Sequence, residues 1–206
     1  KNYPDLPYVL IGHSMGSYMS RKYASIYGDE LDGVIFLGTG NQPKAVVDSG
    51  LKLAHIAKLV RGERYRSELL NTIMFGAYNK RIKDNRTAND WLTKDTKIVD
   101  EYLSDPKCSY KFTANAYIGF LNVIKYDIDK KNIAKTPDKL PVLFASGLED
   151  PVGDYGKGVK KAFKMYTKYV DNVELYLYED DRHELHSETD REDIFSDLYE
   201  WIEENV

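Results

Sequence analysis

The residues best suited to chemistry in this sequence are Gly12-His13-Ser14-Met15-Gly16. A serine hydroxyl attacks a carbonyl only when a base takes its proton, and that base needs a third group to orient it. A serine flanked in this G-x-S-x-G pattern sits at a sharp strand-to-helix turn that leaves its hydroxyl exposed. A Cβ at either glycine is expected to crowd the strand–helix crossing. The five letters alone recur by chance, and their placement makes them specific. The apolar run Tyr8-Val9-Leu10-Ile11 leads in as a buried strand. Tyr18/Met19, Tyr23 and Ile26 follow at helical spacing. His13 fills the variable position and is expected to be structural or pocket-lining.

Behind such an elbow the partners come in a set order, an acid and then a histidine, each after a strand. Gly147-Leu148-Glu149-Asp150-Pro151-Val152 follows one strand-like run, so Asp150 fits the acid, with Glu149 and Asp154 competing. Asp180-Asp181-Arg182-His183-Glu184-Leu185-His186 follows the last such run and offers two histidines, His183 and His186. The negative charge that develops on an attacked carbonyl needs two backbone N–H donors. The amide of Met15 is one; the other belongs to a loop after an early strand, which this sequence lacks. There is no paired-His or Cys cluster at ligand spacing and no glycine-rich phosphate cradle, so no metal or other cofactor is expected. His55 lies in a helical stretch and reads as an ordinary helix residue.

The elements that must position these groups follow from periodicity. Tyr27-Gly28 ends the first helix, with Gly28 as its C-cap. Leu31 to Gly38 is a second buried strand. From about Gln42 to Asn132 strand signals vanish and four amphipathic stretches replace them. These are Val46/Val47/Leu51/Ala54/Ala57/Leu59, Leu69 to Tyr78, Ile98/Tyr102 up to Asp105-Pro106, and Phe112 to Ile124. Strands resume at Leu140 to Gly147 and at Val173 to Tyr178, whose period-two alternation suits a strand nearer the sheet edge. A helix lies between them, roughly Tyr155 to Tyr169, and Thr189-x-x-Glu192 is a capping box for a last one. The expected fold class is α/β, a mostly parallel sheet carrying an inserted helical cap. Residues 1–41 form the first part of the core, 42–132 the cap, and 133–206 the second part of the core.

Taken together, Gly12-His13-Ser14-Met15-Gly16, Ser146-Gly147-Leu148-Glu149-Asp150-Pro151-Val152 and Arg182-His183-Glu184 resemble the α/β-hydrolase superfamily. The nearest branch is the monoacylglycerol lipases, lysophospholipases and serine aminopeptidase-like hydrolases. Asp90-Trp91-Leu92-Thr93 to Asp105-Pro106-Lys107-Cys108 also resembles the cap of bacterial members of that branch. In that branch the histidine precedes Glu in an R-H-E segment, which selects His183. The resemblance implies a serine ester hydrolase with Ser14, Asp150 and His183 as triad and Met15 as oxyanion donor, acting on a monoacylglycerol or lysophospholipid. Thioester, acyl-transfer or peptide chemistry on the same triad is the alternative, as is a binding protein that keeps the fold without turnover. Met74, Phe75, Trp91, Tyr117 and Phe120 either line an acyl-chain pocket or pack the cap onto the core. The family's earlier strands and H-G oxyanion segment have no counterpart here, so the sequence is expected to be the C-terminal part of a longer protein.

Composition bounds the rest. The 206 residues suffice for one sizeable core. With 29 basic and 33 acidic residues interspersed, for a net charge of −4, no basic stripe invites nucleic acid. No apolar run approaches the length of a membrane span. The expected partner is a small ester or lipid, with room for transient contact with a membrane surface and for self-association through an exposed strand edge. The single cysteine, Cys108, excludes an internal disulfide, fits a reducing compartment such as the cytoplasm, and is expected to be structural.

Overall fold

A computed structural model describes residues 5–108 and 110–206; the first four residues of the expected 1–41 unit lie outside them. In chain order the elements are β1 (Val9–His13), α1 (Met15–Tyr27), β2 (Gly33–Leu37), α2 (Lys44–Arg61), α3 (Glu68–Phe75), α4 (Thr96–Ser104), α5 (Ala114–Asp127), α6 (Lys130–Ile133), β3 (Val142–Gly147), α7 (Lys157–Tyr166), β4 (Val173–Tyr178) and α8 (Arg191–Asn205). The four strands make one parallel sheet in the order β1-β2-β3-β4. Parallel neighbours require a crossover, and each one here is helical.

The register explains the apolar runs. Ile35 pairs with Ile11 on one side and Leu143 on the other, and Phe36 pairs with Gly12 and Phe144. Val34, Phe36, Val142 and Phe144 point to one face, where Ala24 of α1 and Val159, Ala162 and Tyr166 of α7 cover them. Ile35, Leu37, Leu143 and Ala145 point to the other, under Ile194, Leu198 and Trp201 of α8. Strands covered on both faces cannot alternate with polar residues, so β2 and β3 read as continuous hydrophobic runs. Each fully buried Ile, Leu or Phe contributes about 1.5–3 kcal/mol.

The segment between β2 and β3 packs around a second cluster, which Tyr18 of α1 joins. Val47, Leu51 and Ala54 of α2 pack with Tyr117, Ile118, Leu121 and Ile124 of α5. Val46 and Leu59 do not share that stripe: they are 60% and 86% exposed. Tyr117 is buried in this cluster and packs rather than lining a cavity.

Other expectations are corrected. β1 is half-buried rather than buried, with Ile11 49% exposed, because among the described residues it pairs only with β2. Gly28 is the C-cap of α1 as expected, but not as a left-handed residue: its φ is −61° and it opens a short 3₁₀ turn. Its lack of a side chain answers a different need, since a Cβ would lie 2.5 Å from the Pro137 ring. The capping box at Thr189 does not form either. Helix α8 starts after Asp190, which makes no side-chain cap; its carboxylate instead lies 3.7 Å from the Lys94 ammonium. Of the two elbow glycines, only Gly12 is crowded, a Cβ there meeting Gly16 O at 2.5 Å, whereas the space beside Gly16 is open.

Candidate active site

Ser14 occupies the turn between β1 and α1 with φ 53° and ψ −120°. A non-glycine residue held in such a region costs on the order of 1–3 kcal/mol and persists only where its surroundings over-determine it. Here Ser14 N donates to Leu37 O at 3.0 Å, and the Ser17 hydroxyl donates to Ser14 O at 2.6 Å. The outcome is a hydroxyl held out from the sheet at the head of a helix.

His183 and Asp150 meet it from distant parts of the chain. The Ser14 hydroxyl lies 2.7 Å from His183 Nε2, and His183 Nδ1–H donates to Asp150 Oδ2 at 3.0 Å. Asp150 and His183 are buried. The second Asp150 oxygen accepts the Val152 amide at 2.8 Å, which fixes the carboxylate's orientation. The two loops are joined directly, Glu149 N donating to Asp181 O at 2.8 Å. Gly38, in the left-handed region with φ 56°, packs under the imidazole, and a Cβ there would lie 3.1 Å from its ring. The competing acids Glu149 and Asp154 are exposed.

The other histidines surround this one. His13 Nε2–H donates to the backbone carbonyl of His183 at 3.1 Å, and the two rings lie 4.8 Å apart. Burial, reinforced by the neighbouring His183 and His186, pushes the His13 pKa down to about 3. His186 is exposed and meets His13 edge-on, with ring centroids 4.7 Å apart. His55 lies exposed on α2. Met15 opens α1, so its amide belongs to a first turn that has no carbonyl one turn back to bond.

Two hollows reach Ser14. The first, about 460 Å³, is apolar and lined by residues including Tyr18, Leu53, Met74, Ile73 and Phe120. The second, about 890 Å³, is more polar, with His13, Asn71, Asn79, Lys107 and Glu184 on its walls. Phe75, Trp91 and Phe120 border both. Cys108 is half-buried on the wall of the second.

Residues 1–190 match the family model described as serine aminopeptidase, S33. The chain belongs to this family of α/β hydrolases. Its fold is similar to that of a highly thermostable carboxyl esterase from Bacillus coagulans in complex with glycerol, at 28% identity and a TM-score of 0.91, over 99% of this chain and 66% of that one. A lipase in its open form is similar at 29% identity and a TM-score of 0.86, over 98% of this chain and 66% of that one. A soluble variant of the Saccharomyces cerevisiae monoglyceride lipase in complex with a substrate analog shares the fold at 21% identity and a TM-score of 0.72, over 100% of this chain and 64% of that one. The chain therefore spans about 66% of the length of the first two solved structures. Comparison with curated protein sequences found no match. Among the described residues no helix is long and apolar enough to cross a membrane.

Sequence reasoning missed several buried polar residues that join parts of the fold. Arg21 is buried, donating to Gly40 O at 2.8 Å and Asp127 O at 3.0 Å, so it joins α1, the loop after β2 and the end of α5. Thr93 and Glu188 are also fully buried and hydrogen-bonded. An arginine in an amphipathic helix ordinarily faces solvent, so periodicity carried no signal for Arg21.

Proposed function

We propose that the protein is a serine hydrolase that cleaves carboxylic esters with an acyl chain, of the monoacylglycerol or lysophospholipid kind. The observation that carries this reading is the continuous hydrogen-bonded chain Ser14–His183–Asp150 at the mouth of an apolar cavity. His183 takes the Ser14 proton as the hydroxyl attacks the ester carbonyl. Asp150 holds the imidazole in the tautomer that leaves Nε2 free to accept it and stabilises the imidazolium that forms. The Met15 amide, at the positive end of α1, donates to the developing oxyanion. His183 then returns its proton to the departing alkoxide oxygen, releasing the alcohol. Water, activated by the same histidine, resolves the acyl-enzyme.

The two hollows sort the substrate. An acyl chain gains from the apolar cavity, where each buried methylene contributes about 0.8 kcal/mol, and the alcohol part suits the polar hollow. Among the described residues no charged side chain lines the apolar cavity. That favours an acyl chain over the free ammonium group of an aminopeptidase substrate, whose burial without a partner is costly.

A fluorophosphonate probe tests the reading. Labelling of the protein at Ser14, lost in Ser14→Ala together with p-nitrophenyl ester turnover, is the expected result. The variant should keep only the roughly 10³–10⁴-fold rate over water that binding and oxyanion stabilisation supply. Near-native turnover by Ser14→Ala would overturn it.

A further inference from the structure

The loop that carries His183 leans on a short stretch of the inserted segment, residues 90–94. Two backbone bonds join them: His183 N donates to Trp91 O at 3.4 Å and Glu184 N to Leu92 O at 2.7 Å. The Arg182 guanidinium donates to Asp90 O at 2.7 Å and Thr93 O at 3.0 Å. The Trp91 and His183 rings lie 5.0 Å apart. One side chain bonds both sides of the joint at once. Glu188 Oε1 accepts the Arg182 amide at 2.7 Å, one residue before His183. Glu188 Oε2 accepts the Lys94 amide at 2.9 Å and the Thr93 hydroxyl at 3.0 Å.

We propose that Glu188 is a positioning residue for His183, locking the histidine loop to residues 93–94 of the inserted segment so that the imidazole stays in line between Ser14 and Asp150. Three features carry this. Glu188 is fully buried, and among the described residues its carboxylate is held by these donors. Its bonds are charge-assisted, hence stronger than neutral ones. The Lys94 ammonium also meets the Asp181 carboxylate, two residues before His183, so residues 93–94 are tied to the histidine loop at a further point. The inserted segment is then part of the machinery that aims the base as well as a wall of the substrate hollows. A displacement of residues 90–94 would disarm His183 without touching Ser14.

The proposal rests on the reading of His183 as the general base, and the test separates the two. Glu188→Gln keeps the shape but turns an amide N–H₂ toward donors. A misplaced base costs on the order of 10²-fold in rate, so kcat for a p-nitrophenyl ester should fall by about that factor while KM changes less than about threefold. The downfield proton resonance of His183 Nδ1–H, which reports its bond to Asp150 without any turnover, should broaden or shift. Thr93→Val removes, with almost no change of volume, the hydroxyl that Glu188 shares with Ser187 O and that accepts the Asp95 amide, and should show the same signs at about a tenth of the size. It decides the matter if Glu188→Gln does not fold. Folded variants with wild-type kcat and an unmoved resonance would overturn the proposal, as would losses that track only the unfolded fraction. A resonance that moves in a wild-type protein without ester turnover would leave the positioning role standing and sink the ester reading.

Discussion

His13 Nε2–H donates to the backbone carbonyl of His183 at 3.1 Å, so the residue beside the nucleophile holds the residue that would activate it. That bond favours a protonated ring, yet burial, with His183 and His186 nearby, outweighs it and lowers the His13 pKa from 6.5 to about 3. Above the unfolded value the contribution is complete. As pH falls through 6.5 the unfolded chain takes a proton that the folded one refuses, and stability is lost toward pH 3 at up to about 1.4 kcal/mol per pH unit. The melting temperature of the wild type should therefore fall from pH 7 to pH 5 more steeply than that of His13→Asn. Parallel curves would show that His13 protonates freely in the fold.

Asp127 pulls the other way. At the end of α5 it is buried, neither carboxylate oxygen has a hydrogen-bond partner among the described residues, and burial raises its pKa from 3.8 to about 7 despite Arg21. A raised carboxyl favours the protonated fold, so its contribution is complete below about pH 4 and is lost as pH climbs through 7, by up to roughly 4 kcal/mol. Measured by denaturant unfolding at both values, Asp127→Asn should gain stability relative to wild type on going from pH 5 to pH 8. A variant that tracks the wild type at each pH would show that Asp127 is charged in the fold throughout.

Of the two histidines after β4, only His183 lies between a hydroxyl and a carboxylate. His183→Ala should lower kcat by several orders of magnitude, as loss of a triad base does. His186→Ala, removing an exposed ring that touches His13, should change kcat by less than about threefold. Steady-state kinetics on a chromogenic ester compares them, and equal losses would reverse the assignment.

Phe120 and Trp91 stand at the border of the apolar and polar hollows. If the apolar one takes the acyl chain, kcat/KM should rise with chain length across a p-nitrophenyl ester series until the cavity is full. Phe120→Ala should shift the optimum toward longer chains by enlarging it. A flat profile unchanged by either Phe120→Ala or Trp91→Ala would leave these aromatics as packing alone.

How much of this was legible beforehand follows from the range of each interaction. Ser14 between its glycines, the continuous apolar runs of β2 and β3, and the strand-then-loop settings of Asp150 and His183 are local patterns imposed by covalent geometry and burial periodicity. They determined the fold class and the three candidate residues. Order along the chain left Glu149, Asp154 and His186 as rivals; the R-H-E resemblance chose between the histidines, and the packed fold separates all of them because it buries Asp150 and His183 together and leaves the others exposed. Likewise the spacing of Thr189 and Glu192 carried a capping box that Asp190, drawn toward Lys94, does not allow. Gly28 looked like a helix cap and is one, but what excludes a side chain there is Pro137, 109 residues along the chain. Arg21, Thr93 and Glu188 bear no local mark, since each bonds to groups brought near only when the inserted segment closes on the core. Periodicity decides which face of an element is buried; which polar atoms meet there is decided by tertiary contacts between residues far apart in the chain, and the aim of His183 belongs to that second kind.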